Sequence, residues 1–169
     1  NKTYKPLPLK IFILRDPKTR IIAKSDFRDR IVHHALINIL KPIFERKFIF
    51  DSCANQINKG TTFALKRFKK YIKKVSHPIY ESGFCLKADV KHYFPQINHE
   101  ILLEIISKNI SDKNMLCLVK QILANSNFNM GGERKKGMPL GNYTSQFLAN
   151  VYLNELDYFV KFEFKAKYY

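Results

Sequence analysis

The sequence contains no tryptophan, and it has only 3 cysteines, 6 glycines and 7 prolines in 169 residues. With so few glycines and prolines, and 46% hydrophobic residues, the chain is not a disordered or low-complexity polypeptide. Its length accommodates one core, or one core with a smaller lobe. Cys53, Cys85 and Cys117 are odd in number and too widely spaced for a C-x-x-C pair. This spacing favours reduced, buried thiols in a cytoplasmic protein over a metal site.

Acidic residues are also scarce, because 14 Asp and Glu stand against 30 Lys and Arg, which gives a formal charge of +16. A neutral or cationic partner is therefore disfavoured, and a polyanion is expected. No segment approaches the ~18 to 20 consecutive apolar residues of a membrane-spanning helix. The first ten residues, "NKTYKPLPLK", lack the apolar centre of a signal peptide. Nucleic acid is thus favoured over a membrane as the partner.

The first element predicted is a β-hairpin over residues 11–23, where two apolar runs flank "RDPKT". Asp16 and Pro17 suit the start of its tight turn. Its tip is cationic, and these charges either solvate the turn or contact an anion. They are Arg15, Lys18 and Arg20.

A helix over about 26–46 follows, with apolar positions that recur every four residues and Ser25 or Asp26 as the capping residue. Pro42 should bend or end this helix. His33 and His34 could ligate a metal only with distant partners, so a place on the helix surface or the edge of the core is preferred.

A second helix over 61–75 carries apolar residues on one side and lysines on the other. Such a lysine-rich side is either simply solvated or contacts phosphates. Further along, residues 112–125 are predicted to form an amphipathic helix, and 128–141 to form a hairpin that turns at Gly131 and Gly132.

The stretch "GFCLKADVKHYFPQINHEILLEII" carries the candidate chemistry. Residues 84–90 alternate as a strand with one apolar side, and Asp89 is on the other side. Pro95 should end this strand, and Asn98 should cap the next helix. A carboxylate at a strand end among lysines is a natural ligand for a hard cation that neutralises phosphate oxygens. Alone, Asp89 would be an ordinary strand-end acid.

The uncharged stretch "GMPLGNYTSQ", residues 137–146, is named the glycine loop here. Thr144 or Ser145 is expected to start the helix that follows, which leaves Gly137 and Gly141 near a helix N-terminus. Glycine at such a place lets another molecule approach the backbone closely.

The chain begins at Asn1 and stops in the alternating, strand-like run "FEFKAKYY", so a fragment of a longer protein is expected.

The order of these parts resembles the reverse transcriptases, the RNA-directed DNA polymerases, over nearly the whole chain. "DPKTRII" is similar to their fingers hairpin, "FRDRIVHHALINILKPIFE" to their first fingers helix and "DSCANQINKGTTFAL" to their template-side loop. "LKADVKHYFPQINHEIL" is similar to their catalytic strand motif, and "KGMPLGNYTSQFLANVYLNELD" to their glycine loop and supporting helix. The resemblance implies an α+β fold, with a right-hand polymerase fingers subdomain over 1–80 and an incomplete palm over 81–169. Helices would pack on a small antiparallel sheet, with β-hairpins in addition.

The same resemblance implies a role for individual residues. Asp89 would be the catalytic carboxylate that binds Mg²⁺, or Mn²⁺, with the Val90 carbonyl as a further ligand. Phe94, beside Tyr93, would be the steric gate that excludes a ribose 2′-hydroxyl. The remaining assigned residues would contact the nucleotide or the nucleic acid. Those at the nucleotide are Lys18, Arg20, Tyr93, Leu140 and Gly141, and those at the nucleic acid are Arg30, Lys59, Lys66, Lys69, Lys70 and Lys73.

Two departures from the family pattern narrow the resemblance. Leu140 stands where most members have glutamine, and Gln146 follows Ser145 where proline is common. "LGNYTSQ" is similar to the subgroup found in diversity-generating retroelements, whose enzymes copy a template repeat with errors at adenines. Gln56 stands where related loops often have arginine, so no template contact is assigned to it.

The family's second metal-binding motif, Tyr-x-Asp-Asp, would follow the last residues of this chain. Since two-metal catalysis needs carboxylates on both sides of the metal pair, the chain as given is expected to be inactive. The implied partners are an RNA template, a DNA or RNA primer and deoxynucleoside triphosphates, with a possible accessory protein and no membrane, in the cytoplasm. The alternatives are a non-catalytic RNA-binding scaffold or maturase and a defence polymerase that needs no template.

Overall fold

The structure, a computed structural model, describes residues 3–76, 83–125 and 135–169. The chain divides into two compact units, Asn1–Arg46 with His92–Tyr152, and Lys47–Lys91 with Leu153–Tyr169. The described elements combine helices with one two-stranded antiparallel sheet, in agreement with the α+β prediction. They are β1 Lys10–Leu14, β2 Arg20–Lys24, α1 Phe27–Phe44, α2 Thr61–Val75, α3 Tyr93–Gln96, α4 His99–Ser107, α5 Lys113–Ala124, α6 Tyr143–Tyr158 and a π-helical turn Phe159–Glu163.

Strands β1 and β2 form the predicted hairpin, in a register that runs from Lys10 opposite Lys24 to Leu14 opposite Arg20. Each strand contains two isoleucines, and β1 also contains Phe12, residues that favour the extended backbone. The side chains of β1 are all exposed, so pairing rather than burial defines this hairpin.

The core of the first unit is built by α1, α4, α5 and α6, and three of these helices begin at a capping residue that the sequence indicates. Asp26 caps α1 by accepting a hydrogen bond from the Arg28 N–H, while Asn98 and Asp112 cap α4 and α5 in the same way. Pro42 lies in the last turn of α1, which ends at Phe44. The most deeply buried apolar side chains are Ile37, Leu40, Ile97, Leu102, Ile106, Val119, Leu148 and Val151.

Helix α2, in the second unit, has the predicted bounds but not the expected burial. None of its residues is buried, and Leu65, Phe68 and Ile72 of its apolar side are 53%, 46% and 46% exposed. An amphipathic pattern marks the side of a helix that a neighbour can cover, but it does not provide the neighbour. The lysine side of α2 is exposed as well.

The strand predicted at 84–90 is absent, because the described residues 83–90 form no regular element. Phe84 and Leu86, expected on its apolar side, are 96% and 93% exposed. A strand needs a neighbour to satisfy its backbone N–H and C=O groups, and the sheet among the described residues consists of β1 and β2 alone.

Three further expectations concern the C-terminal residues, the cysteines and a glycine-rich hairpin. The alternating run 162–169 near the C-terminus forms no strand: its first two residues belong to the π-helical turn that continues α6, and residues 164–169 form no regular element. The expectation of buried thiols was wrong for Cys85 and Cys117, which are exposed, and Cys53 is half-buried. The hairpin expected to turn at Gly131 and Gly132 lies outside the described residues.

In the part of the chain that the structure describes, no helix is both long and apolar enough to cross a lipid bilayer.

Candidate functional site

The start of the glycine loop lies along the segment that contains Phe94. The Met138 N–H donates to the Phe94 carbonyl at 2.9 Å, and the Gly137 N–H donates to the Ile97 carbonyl at 2.8 Å. His99 is buried, and one of its ring nitrogens lies 2.6 Å from the Gly137 carbonyl oxygen. The backbone of the loop is therefore fixed against α3 and the start of α4.

Gly137 is required at this place by its conformation and by its neighbour. Its φ of +93° is one that residues with a side chain rarely adopt, and a Cβ would lie 3.2 Å from the Pro95 carbonyl oxygen. The close approach that the sequence predicted for this glycine is thus made to the chain's own backbone.

The other end of the glycine loop lies along the edge of β2 that does not pair with β1. The Ala23 N–H donates to the Leu140 carbonyl at 2.8 Å, and the Asn142 side chain bonds both the Ser25 N–H and the Ala23 carbonyl. Gly141, with φ +112°, leaves no room for a side chain, since a Cβ would lie 2.6 Å from Ile22 Cγ2. Packing against β2 alone therefore requires glycine here, whatever else the loop contacts.

The candidate gate residue Phe94 and its neighbour Tyr93 lie on the short helix α3. Both side chains are half-buried, and their rings meet edge to face at 5.7 Å. The Tyr93 hydroxyl donates to the Ala149 carbonyl of α6 at 2.6 Å, which anchors α3 to the core. Tyr93 is therefore a structural anchor here, and its contact with a nucleotide stays a prediction.

The two candidate triphosphate contacts, Lys18 and Arg20, are exposed at and beside the turn of the hairpin. Arg20 begins β2, three residues before the Ala23 contact with the glycine loop. The first unit thus joins the hairpin, the glycine loop and the Phe94 segment through backbone hydrogen bonds. This joining of three of the predicted motifs is the central feature of the site.

Asp89 and Val90 belong to the second unit, and both are exposed. No group of three or more His, Cys, Asp or Glu residues that could hold a metal ion occurs within residues 3–76, 83–125 and 135–169. A magnesium ion takes oxygen ligands in near-octahedral geometry, and one exposed carboxylate is an incomplete set. Asp157, on α6, accepts a hydrogen bond from the Tyr169 hydroxyl at 2.6 Å, and burial raises the pKa of its carboxyl.

The candidate nucleic-acid contacts differ in how they are held. Lys66, Lys69, Lys70 and Lys73 are exposed on α2, and none of them forms a salt bridge within the described residues. Lys59 instead donates to the Phe50 carbonyl at 2.8 Å and lies over the Phe50 ring. Arg30, in the first unit, lies over the Phe27 ring with its Nε buried.

A cluster that the sequence did not reveal orders the start of the template-side loop. Arg67 binds both carboxylate oxygens of Asp51, and the Tyr71 hydroxyl donates to the same carboxylate. Burial opposes ionisation of Asp51, but these hydrogen bonds outweigh it and hold its pKa below the ordinary value. The Arg67 guanidinium also lies 4.8 Å from the centre of the Phe50 ring.

Gln56, the loop residue to which the sequence assigned no template contact, donates a hydrogen bond to the Ser52 carbonyl at 2.8 Å.

The start of α6 is tied to α1 through the two histidines that the sequence placed at the core edge. His33 is buried, its Nδ1 lies 3.5 Å from Thr144 Oγ1, and burial lowers its pKa. His34 is exposed and stacks on Tyr143 with ring centres 4.8 Å apart. Helix α6 begins at Tyr143, one residue before Thr144 and two before Ser145, which were the two predicted starts.

Comparison with known proteins finds a family model that matches the chain and several similar proteins. Residues 15–168 match the family model described as reverse transcriptase (RNA-dependent DNA polymerase). The chain is 26% identical to protein YkfC of Escherichia coli (strain K12) over 161 residues, 93% of this chain and 42% of that protein. It is 30% identical to the group II intron-encoded protein LtrA of Lactococcus lactis subsp. cremoris over 166 residues, 94% of this chain and 26% of that protein. It is 25% identical to the putative COX1/OXI3 intron 2 protein of Saccharomyces cerevisiae over 162 residues, 90% of this chain and 18% of that protein. The chain therefore spans less than half the length of these relatives.

Proposed function

Because this chain belongs to the reverse transcriptase family, we propose that it forms the fingers and part of the palm of an enzyme that extends a primer along an RNA template. The reaction would be attack of the primer 3′-hydroxyl on the α-phosphorus of a deoxynucleoside triphosphate, with pyrophosphate as the leaving group. The observation that carries the proposal is the hydrogen-bonded assembly of the hairpin, the glycine loop and the Phe94 segment in one unit.

The nucleotide would lie at this assembly. Lys18 and Arg20 are exposed cations suited to the triphosphate, because they can form charge-assisted hydrogen bonds with phosphate oxygens. The half-buried Phe94 ring would limit the space beside the sugar, which supports its role as the steric gate. Leu140 would place an apolar side chain at the base, where it could form no hydrogen bond.

Asp89 is proposed as one of the carboxylates that bind magnesium, with the Val90 carbonyl beside it. The described residues contain no complete magnesium site, and under this proposal the other ligands would lie elsewhere in the functional enzyme. The exposed lysines of α2 would contact the phosphates of the template or primer, where each neutralised phosphate increases the salt dependence of binding.

The decisive test is primer extension by the complete gene product on an RNA template with magnesium. We expect extension with deoxynucleotides, loss of extension in Asp89→Asn, and increased use of ribonucleotides in Phe94→Ala. Glu163→Gln and Phe164→Ala are matched controls, because both residues are exposed in the second unit and carry no proposed role. Template-dependent extension that survives in Asp89→Asn would contradict the proposal.

The second candidate function is a maturase or RNA-binding scaffold without polymerase activity. It is favoured by the intron-encoded relatives, LtrA and the yeast intron 2 protein. Salt-dependent RNA binding is expected of both functions and does not separate them. RNA binding by the complete gene product without any primer extension would favour the scaffold, while extension without a template would favour a defence polymerase.

A finer proposal concerns fidelity and rests on Leu140 and Gln146 in the glycine loop. We propose that the enzyme comes from a diversity-generating retroelement and misincorporates at template adenines. The physical reason is that an apolar residue at 140 removes one polar restraint on the geometry of a mispair. Leu140→Gln should then lower the error rate at adenines more than at other template bases. An error rate that is equal at all four template bases in the unmodified enzyme would exclude this origin.

A further inference from the structure

The side chain of Asn142 is buried, at 3% exposure, and both of its polar atoms are used by one segment of chain. Its Oδ1 accepts a hydrogen bond from the Ser25 N–H at 2.9 Å. Its Nδ2 donates to the Ala23 carbonyl at 3.0 Å. The amide therefore presents a donor and an acceptor to β2 in the way that a neighbouring strand would.

The Leu140 carbonyl adds a third hydrogen bond of the kind that a neighbouring strand would form, since it accepts from the Ala23 N–H at 2.8 Å. Ala23 and Ser25 are thereby held at three points along the edge of β2 that does not pair with β1. Three residues earlier in the same strand is Arg20, and the turn before it carries Lys18. The three hydrogen bonds that hold this edge therefore also hold the base of the cationic tip of the hairpin.

We propose that Asn142 is a positioning residue for nucleotide binding, which holds the cationic tip of the hairpin at a set place beside the glycine loop. This inference rests on the proposed function, because it assumes that Lys18 and Arg20 bind the triphosphate. Asn142 itself touches no nucleotide and acts through the hairpin.

The chemistry of the site makes asparagine specific. Aspartate has nearly the same shape and can still accept from Ser25, but its second oxygen would oppose the Ala23 carbonyl with no hydrogen to share. Alanine removes both bonds. If Asn142 only filled space, Asn142→Leu, which has a similar branched shape and no hydrogen-bonding group, would leave the edge of β2 held as in the unmodified protein. If it acts as described, Asn142→Asp and Asn142→Ala should both release the edge of β2.

The first measurement is amide hydrogen exchange of the chain. Asn142→Ala removes both hydrogen bonds and should speed exchange at Ala23 and Ser25 by about ten to a hundredfold, with little change in α5. Asn142→Asp keeps the acceptor for the Ser25 N–H, so its faster exchange should be greatest at Ala23. Ser25→Ala is the matched control, since the buried Ser25 Oγ has no partner among the described residues and its removal keeps the backbone bond to Asn142. Unchanged exchange at these two amides in both Asn142 variants would overturn the inference.

The second measurement separates positioning from general stability. Binding of deoxyadenosine triphosphate with magnesium is measured on a complex of the complete gene product with an RNA–DNA primer–template that presents uracil. Asn142→Asp should weaken binding about tenfold, a coupling of ordinary size for residues in one hydrogen-bonded network. In an Arg20→Gln, Lys18→Gln background the same change should have almost no further effect.

The outcomes distinguish the inference from the proposed function. If the unmodified gene product binds the nucleotide and the losses are additive, the Asn142 inference fails while the proposed function stands. If the unmodified gene product does not bind the nucleotide on the primer–template, the nucleotide roles of Lys18 and Arg20 fail, and that of Asn142 fails with them.

Discussion

Replacing Gly141 by alanine isolates the contact between the glycine loop and the hairpin. The new Cβ would lie 2.6 Å from Ile22 Cγ2, and the residue would keep a φ of +112°. Backbone strain of this kind costs about 1–3 kcal/mol, and forcing an extra methyl into a packed contact costs about 1–3 kcal/mol more. The expected loss is therefore about 2–6 kcal/mol, a large share of the roughly 5–15 kcal/mol by which proteins are stable.

Urea unfolding measures this loss as a lower midpoint at unchanged slope. For a chain of this size the melting temperature should fall by roughly 2–4 °C for each kcal/mol. Gly60→Ala is the control, because a Cβ there meets nothing within 4 Å and the φ is −89°. Its effect should stay below about 1 kcal/mol.

A second substitution identifies the cause of the loss. Ile22→Ala removes the methyl group that the new Cβ would strike, so the double variant should recover the steric part, about 1–3 kcal/mol, relative to the sum of the single changes. The strain from the positive φ should remain. Strictly additive effects, or a Gly141→Ala variant no less stable than Gly60→Ala, would refute the assignment of this glycine to packing against β2. No nucleotide is present in these measurements, so a confirmed loss would assign the glycine to the fold itself.

Two further predictions concern single hydrogen-bonded groups. The pKa of Asp51 lies below 3.8 in the folded chain, so its stabilising effect should be complete at about pH 6 and be lost as the pH falls below about 4. The gap in unfolding free energy between the unmodified chain and Asp51→Asn should close over that range, and a gap independent of pH would contradict it. Tyr93→Phe should cost about 1–2 kcal/mol in urea unfolding, because it leaves the Ala149 carbonyl without its 2.6 Å partner; an unchanged midpoint would mean that water replaces the hydroxyl.

The elements that the sequence predicted well are those specified within a few residues of chain. Asp26 and Asn98 each precede an apolar repeat and cap the helix that follows. The turn at Asp16 and Pro17 lies between two β-branched runs, and the hairpin forms there. Capping, turn chemistry and periodicity are local, so they can be recognised without knowledge of the partner.

The failures involve features that depend on a distant partner. Residues 84–90 have the alternation of a strand, but a strand exists only where another strand pairs with it. In the same way, the apolar side of α2 is exposed although its period is correct. Alternation and period describe what a segment can bury, and the rest of the structure decides whether it does so.

The contacts that hold the site together could not be predicted, for a related reason. Asn142 and Ser25 are separated by 117 residues, and no local pattern joins them. The Arg67, Asp51 and Tyr71 cluster is likewise assembled from an exposed helix and a loop, and each residue alone has an ordinary sequence context. Gly141 was recognised as a place of close approach, but the sequence cannot say that Ile22 is what approaches it.

The two-sided attachment of the glycine loop has a consequence for catalysis under the proposed function. Met138 bonds the backbone of Phe94, and Leu140 bonds the backbone of Ala23, so the sugar gate and the triphosphate contacts rest on one support. Asp89, by contrast, belongs to the other unit. A shift of the loop should therefore change sugar selection and triphosphate binding together, because both follow its backbone. Loss of Asp89 should abolish the reaction and leave the affinity contributed by the hairpin in place.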